Sequence, residues 1–374
     1  MPKLKKDTFN DDFIFAPVIS YTKDDQKWTI LDDVVAGSTA TPAVFGAFKK
    51  SKLVNKGEIV SYAEDDADLG TAVQFTGNRS KIINEAGADI VGPRGIFIGS
   101  ISNPDKTKDA KIDNHGTITG TMADAVLATS NINLKVYNDG KILSANNGVY
   151  ALSGESTTVE NAGLIFGRAV GVLLAEAGGT STIVNHAGGT IKGASQAIDV
   201  ESDGMMLTNA GKLVGMVDGT DGKDKVVNKG KIKGDVYLKD GNDTYKNKDA
   251  KAGPKIHSGE GNDKLVAGNS KDKFVFDAAP GPANLDTIKG FESGKDKLFL
   301  DSLHFAAVTG PGPLVQSEFR KGATAKDADD YVLYDKASGA LYYDEDGFGG
   351  TPEVQIAQFD PGDKVKYSDF TVMA

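Results

Sequence analysis

The sequence predicts an all-β protein, a right-handed parallel β-helix that passes into a second kind of stacked-turn array and ends in a small β-rich cap. Three observations carry this expectation. Glycine supplies 45 of 374 residues, with Asn-Gly and Asp-Gly pairs throughout and no long run of helix formers, the composition of short strands joined by tight turns. An Asn-centred segment recurs at Asn55, Asn84, Asn114, Asn138, Asn161, Asn185, Asn209 and Asn228, at intervals of 29, 30, 24, 23, 24, 24 and 19 residues. Self-similarity at that period marks a solenoid. A different repeat then takes over near residue 219.

Residues 1–45 read as an N-terminal cap and first coil. Here "WTILDDVVAG" and "TPAVFGAF" form an irregular coil that covers an end otherwise left as an unpaired edge. Residues 46–218 read as the β-helix. Between the Asn segments runs a second apolar strand with alternation, such as "TAVQFTG", "RGIFIGS", "DAVLATS" and "GVYALSG". Two or three short strands per period without a 3.6-residue pattern fit one β-helical coil, and coils stack about 4.8 Å apart. At an inward bend an Asn amide donates to one neighbouring coil and accepts from the other, which satisfies buried polar groups along the axis. Glycine two or three residues later supplies the φ values of the corner. The insertions at 62–70 and 103–111 explain the two longest intervals, and long loops on a solenoid are where partners bind.

Residues 219–276 carry the second repeat. "GTDGKDKV" matches the nonapeptide rule G-G-x-G-x-D-x-U-x through Gly222 and Asp224, with Val226 as its apolar residue. The match returns in "LKDGNDTY" (Asp240, Gly241, Asp243), "SGEGNDKL" (Gly259, Gly261, Asp263) and "AGNSKDKF" (Gly268, Asp272). Four matches in so short a span resemble the calcium-binding β-roll of RTX proteins, the hemolysin-type repeat family exported by type I secretion. The resemblance implies Ca2+ held between successive turns by backbone carbonyls and Asp carboxylates, and so makes Gly222, Asp224, Asp240, Gly241, Asp243, Gly259, Gly261, Asp263 and Asp272 candidate metal-site residues. Spacing points the same way. Asp224, Asp243 and Asp263 lie 19 and 20 residues apart, one coil each, and so form a column. Carboxylates stacked at coil spacing repel and raise one another's pKa unless a hard cation sits among them. Two ions between three loops is the expected count. Asp272, nine residues after Asp263, falls on the opposite side.

Residues 277–374 read as a C-terminal cap and secretion-signal domain. "LDTIKGFESGKDKLFLDSLHF", "GALYYDEDGFGGTPEVQIAQF" and the terminal "YSDFTVMA" resemble the domain that follows RTX repeats in serralysin-type proteases. "DEDG", with Asp344 and Asp346, reads as an exposed acidic turn or a peripheral cation site. From residue 284 on, 9 Lys/Arg face 16 Asp/Glu, so most of the overall net charge of −10 sits here.

The acidic balance argues against a nucleic-acid partner. No cysteine is present, which rules out disulfides and thiol zinc sites. No run of about 18 apolar residues predicts a transmembrane helix, and the N-terminus lacks the pattern of a cleaved signal peptide. The resemblance implies a bacterial protein, secreted or cell-surface, whose partners are calcium, the type I secretion machinery and extracellular polysaccharide or a cell surface. A non-enzymatic adhesive or matrix role is the leading expectation. A polysaccharide lyase or epimerase on the β-helix is the alternative, but no acid cluster with a neighbouring base is evident, and the four histidines, His115, His186, His257 and His304, read as turn or surface residues. A pore-forming toxin would need long apolar helices, which are missing.

Overall fold

The computed structural model describes residues 2–6, 8–10, 17–39, 42–62, 70–99, 108–129, 133–153, 156–176, 178–248, 250 and 253–374. The chain divides into two compact units, Met1–Met206 with Ala210–Met216, and Leu207–Asn209 with Val217–Ala374. Most of the insertions at 62–70 and 103–111 lies outside the described residues.

In the first unit most coils are three short strands, as in Lys81–Asn84, Asp89–Gly92 and Arg94–Ile98, and in a later coil the second and third merge into one strand, Thr190–Val200. Each strand pairs in parallel with its counterparts one coil before and after. This is a parallel β-helix. Three inward columns fill its core: Leu53, Ile82, Ile112, Val136, Val159 and Ile183 on the Asn-bearing sheet, then a run of isoleucine from Ile59 to Ile191, then Val73, Ile96, Val126, Val149, Val172 and Ile198. All are buried. β-Branched side chains dominate because they fit a pleated, half-covered surface and lose little χ1 freedom there. Residues expected to form an irregular first coil are instead regular. Lys27–Ile30, Val35–Ser38 and Val44–Gly46 stack in register on the coil that follows, and Lys3–Leu4, Thr8–Asn10 and Ile19–Ser20 form a coil before them.

The asparagines align in that register. Asn55 Nδ2 donates to Asn84 Oδ1 at 2.9 Å, and the pattern repeats from Asn84 to Asn114 (2.9 Å), Asn138 (2.6 Å), Asn161 (2.8 Å) and Asn185 (2.9 Å). The amides from Asn55 to Asn161 also donate to the backbone carbonyl that opens the following strand one coil on, as Asn55 does to Asp89 and Asn84 to Thr117. All six side chains are buried. At the start of the ladder Asn55 Oδ1 has no donor, because the residue stacked on it one coil earlier is Ile30. Glycine serves the corners in two ways. In the longer corner after Asn185, Gly188 takes φ +89, while in the short corner after Asn138 a Cβ on Gly140 would run into the carbonyl of Gly116 one coil back.

In the second unit the ladder runs from Asn209 to Asn228 (2.9 Å) to Asn247 (3.4 Å). From Thr244 onward a coil holds two strands: Thr244–Asn247 with Lys255–His257, Lys264–Val266 with Lys273–Phe276, and Asp286–Lys289 with Lys297–Asp301. Their inward columns are Val226, Tyr245, Leu265 and Ile288 on one sheet and Val236, Ile256, Phe274, Leu298 and Phe370 on the other. Parallel stacking therefore outlasts the four recognisable repeats. Val354–Gln358 and Phe370–Met373 each add one more parallel strand, after which pairing turns antiparallel through Ala340–Tyr343 and Gly312–Pro313. Aromatic rings close this end: Phe305 lies 5.0 Å from Tyr343, and Phe359 lies 5.4 Å from Phe291 and 5.8 Å from Tyr334. No helix among the described residues is long and apolar enough to cross a membrane.

Truncating one rung of the ladder leaves an unpaired donor on one side and an unpaired acceptor on the other. Asn138→Ala is expected to destabilise the first unit by about 2–4 kcal/mol, roughly the desolvation cost of two buried polar groups. Urea denaturation reads this directly, and a change below about 0.5 kcal/mol would show that the ladder is not a stabilising element.

Candidate metal centre

The second unit carries two columns of buried aspartates, one on each side of the stack. The first consists of Asp224, Asp243, Asp263 and Asp286. In each step the Oδ1 of one Asp accepts the backbone N–H of the Asp one coil earlier: Asp224 N to Asp243 at 2.7 Å, Asp243 N to Asp263 at 2.7 Å, and Asp263 N to Asp286 at 3.1 Å. All four are at most 2 % exposed. The spacing argument thus places Asp224, Asp243 and Asp263 where the structure has them, and the structure adds Asp286.

What distinguishes the members is the second carboxylate oxygen. At one end, Asp224 Oδ2 accepts the Thr220 N–H at 2.8 Å and its Oδ1 accepts the Thr220 hydroxyl at 2.8 Å. At the other end, Asp286 Oδ2 accepts the Ser258 hydroxyl at 3.0 Å. The two middle members have no such partner. Asp243 Oδ2 and Asp263 Oδ2 are buried and accept no hydrogen bond. Burial, reinforced by neighbouring carboxylates, pushes Asp243 up to about 8 and Asp263 up to about 7, and lifts Asp286 well above the usual carboxylate range.

The glycines bring backbone oxygens close to the same turns. Gly241 and Gly261 adopt φ +136 and +131, and a Cβ on either would overlap the carbonyl of the glycine one coil back, Gly222 and Gly241 respectively. Gly259 has φ +78, and Lys239, its counterpart in the preceding loop, accepts the same left-handed conformation at φ +67 despite its side chain. Asp240 lies on the exposed part of its loop. Beside the column a further rung links the turns: Asn242 Oδ1 accepts the Asn262 N–H at 2.8 Å, and Asn262 Oδ1 accepts the Leu285 N–H at 2.7 Å. The centre is thus rich in oxygen, with carboxylate and carbonyl groups and no sulfur or imidazole, a donor set suited to a hard cation. Among the described residues no group of three or more acidic or histidine side chains is arranged to hold a metal, so a cation here would depend on backbone carbonyls for most of its shell.

The second column differs. Asp272 Oδ2 accepts the Gly268 N–H at 2.7 Å, its Oδ1 takes the Asn247 amide and the Ser270 hydroxyl, and its own N–H donates to Asp296 Oδ1 at 3.0 Å. Asp296 in turn accepts the Glu292 N–H at 2.8 Å. Asp369 receives Ser293 Oγ at 2.7 Å and the N–H groups of Gly294 and Lys366 at 2.9 and 3.0 Å. Asp272 therefore ends the asparagine ladder and has both oxygens engaged by neutral donors.

Asp286 and Asp296 escape the glycine-based motif, since neither "NLDTI" nor "GKDKL" carries its full complement of glycines. The signal they share with the recognised loops is Asp followed two residues later by the inward apolar residue, as in Asp263–Leu265, Asp286–Ile288 and Asp296–Leu298. The acidic turn at 344–347 uses its carboxylates locally: Asp344 accepts the Asp346 N–H at 3.2 Å, and Asp346 accepts those of Gly350 and Thr351 at 3.0 and 3.1 Å. His115 meets Asp139 at 2.8 Å, His186 meets Glu160 at 3.5 Å, and His257 meets Asp277 at 2.7 Å while stacking on Tyr237. His304 lines a cavity of about 560 Å³ with Tyr343, Glu345 and Asp346.

Comparison with known proteins returns no match, whether against family models, curated proteins or solved structures.

A buried carboxylate with a raised pKa stays protonated in the folded chain and must ionise as pH rises. Folding is then favoured least above the folded pKa, and the loss accrues between the unfolded value of 3.8 and about 8 for Asp243. In chelator, the melting temperature of the second unit is expected to fall steadily from about pH 5 to about pH 8. A flat or rising profile would contradict the burial of these groups as unpaired acids. Separately, Gly261→Ala combines a left-handed φ with overlap onto the Gly241 carbonyl and is expected to cost about 2 kcal/mol or more, read by urea denaturation; a loss below about 0.5 kcal/mol would show that the turn relaxes freely.

Proposed function

We propose that the second unit is a calcium-binding β-roll whose folding depends on the cation, within a secreted, non-enzymatic bacterial protein that acts as an adhesive or matrix-forming scaffold. The observation that supports this is the pair of buried, unpartnered oxygens, Asp243 Oδ2 and Asp263 Oδ2, in the middle of a column whose ends are satisfied by Thr220 and Ser258. Hydroxyl groups meet the second oxygen where the column stops, and no donor meets it where the column continues. Asp243 and Asp263, with carbonyls of the turns around Gly222, Gly241 and Gly259, are the groups that would hold the ion. Calcium would supply the positive charge that lets these carboxylates ionise while buried, and its tolerance for six to eight oxygen ligands suits a shell drawn largely from the backbone.

Cation dependence suits export. Where calcium is scarce the ionised column opposes folding, and the chain remains extended; where calcium is abundant, binding free energy becomes folding free energy. The C-terminal segment supports the same order of events. Phe370–Met373 is a strand of the stack and Asp369 is fully buried, so a secretion signal written there is legible to a transporter only before the second unit folds.

Calcium at about 100 times its Kd is expected to stabilise the second unit by about 2.7 kcal/mol per site, which raises its melting temperature by roughly 5–10 °C. The double variant Asp243→Asn/Asp263→Asn is expected to lose that response while melting higher than the wild-type chain in chelator near neutral pH, because folding no longer has to hold two buried acids protonated. Calorimetry in calcium and in chelator checks both. Equal melting of the wild-type protein under the two conditions ends the reading.

A further inference from the structure

The outward face of the Asn-bearing sheet in the first unit carries a column that the calcium reading leaves unused. Strand register aligns Lys27, Lys52, Lys81, Lys111 and Lys135 in five successive coils. Lys52, Lys81, Lys111 and Lys135 each precede a buried core residue, Leu53, Ile82, Ile112 and Val136, and Lys27 precedes the half-buried Trp28, so alternation along the strand places the lysines on the outward face. Five cations thus stand in single file, about 4.8 Å apart and about 19 Å from first to last. Adjacent ammonium groups at that spacing repel by about 1 kcal/mol even in water.

The fold offers little relief. Asp113 receives Lys81 at 2.7 Å and Lys111 at 3.0 Å, and among the described residues no ion pair engages Lys27, Lys52 or Lys135. Burial and the charges of Lys27 and Lys81 hold the Lys52 ammonium below its ordinary pKa, against the weaker opposing pull of Asp113 and Glu85. A chain with net charge −10 therefore aligns five like charges at one per coil and, among the described residues, pairs them directly with one carboxylate, Asp113, while Glu85 acts on Lys52 from a greater distance. The column also has an end. In the next two coils the aligned residues are Thr158 and Thr182.

We propose that this lysine column binds a linear, carboxylate-bearing polysaccharide that lies along the coil axis, one acidic sugar to each coil. A sugar ring in an extended polymer is about as long as the coil spacing, so successive carboxylates meet successive ammonium groups. Lysine suits that geometry as a point charge for a single carboxylate, whereas the bidentate guanidinium favoured by phosphates is absent from the column. The aligned row two residues further on, Thr29, Val54, Ile83, Asp113 and Tyr137, with Thr29 and Val54 largely covered, holds one carboxylate, already paired to Lys81 and Lys111, and one aromatic ring, so it offers no stacking platform of the kind that single-stranded nucleic acids need. The inference concerns the first unit and does not rest on calcium binding in the second.

The test uses the full chain in saturating calcium with hexagalacturonate as probe, its methyl ester as an uncharged control, and hexathymidylate as the nucleic-acid control, each measured by isothermal titration. Binding is expected for the acid alone, to weaken as salt is raised, and to drop about tenfold in Lys52→Gln/Lys135→Gln, while calcium-dependent melting of the variant stays that of the parent. Failure of the acid to bind, equal binding by ester and acid, or unchanged affinity in the variant would each overturn the proposal. Tighter binding of hexathymidylate that is lost in the variant would overturn it in favour of nucleic acid. Loss of calcium-dependent melting in the wild-type protein would strike the calcium reading and leave the lysine column standing.

Discussion

In-register parallel stacking is the constraint from which the rest follows. It sets every residue on top of its counterpart one coil away, so a position in the repeat is never a single side chain but a column at about 4.8 Å spacing. Each column must then be compatible with itself. β-Branched apolar residues meet the condition by packing, as Ile59 to Ile191 do. Asparagine meets it by chemistry, since one amide holds a donor and an acceptor and can pass a hydrogen bond along the axis without limit.

Aspartate and lysine do not meet it. A carboxylate can only accept, so the Asp column recruits backbone N–H groups for one oxygen of each member and is left with orphans at Asp243 and Asp263. The lysine column can only donate, and among the described residues it finds one direct ion-pair acceptor, Asp113. Both incomplete columns look outside the chain for what they lack, a cation in one case and a polyanion in the other. The second aspartate column shows how the chain avoids this need where it has other means: Asp272 closes on Asn247, Ser270 and Gly268 and asks for nothing further.

The change of repeat near residue 219 has the same physical content. A coil with a self-satisfying Asn corner gives way to coils, two-stranded from Thr244 onward, whose tight turns bring carbonyl oxygens together. Those turns require glycine at Gly241 and Gly261 because the backbones approach too closely for a Cβ. Stability in such a unit passes from packing alone to packing plus an external ligand, which makes folding responsive to surroundings.

Sequence by itself determined the solenoid, the Asn ladder and the membership of Asp224, Asp243 and Asp263 in one column, because a fixed period converts residue number directly into position along the axis. It also contained the lysine column, three residues before each of Asn55, Asn84, Asn114 and Asn138, and the pairs Asp286–Ile288 and Asp296–Leu298, though glycine spacing drew attention away from both. Only the tertiary structure decided which oxygens are satisfied. That depends on Thr220, Ser258 and Ser270, hydroxyl residues that stand where the nonapeptide rule has glycine, and on distances of a few tenths of an ångström that no periodicity encodes. It likewise decided that residues 3–46 are regular coils and that stacking continues to Phe370–Met373, since strand pairing across a whole coil compensates for weak local patterning in two- and three-residue strands.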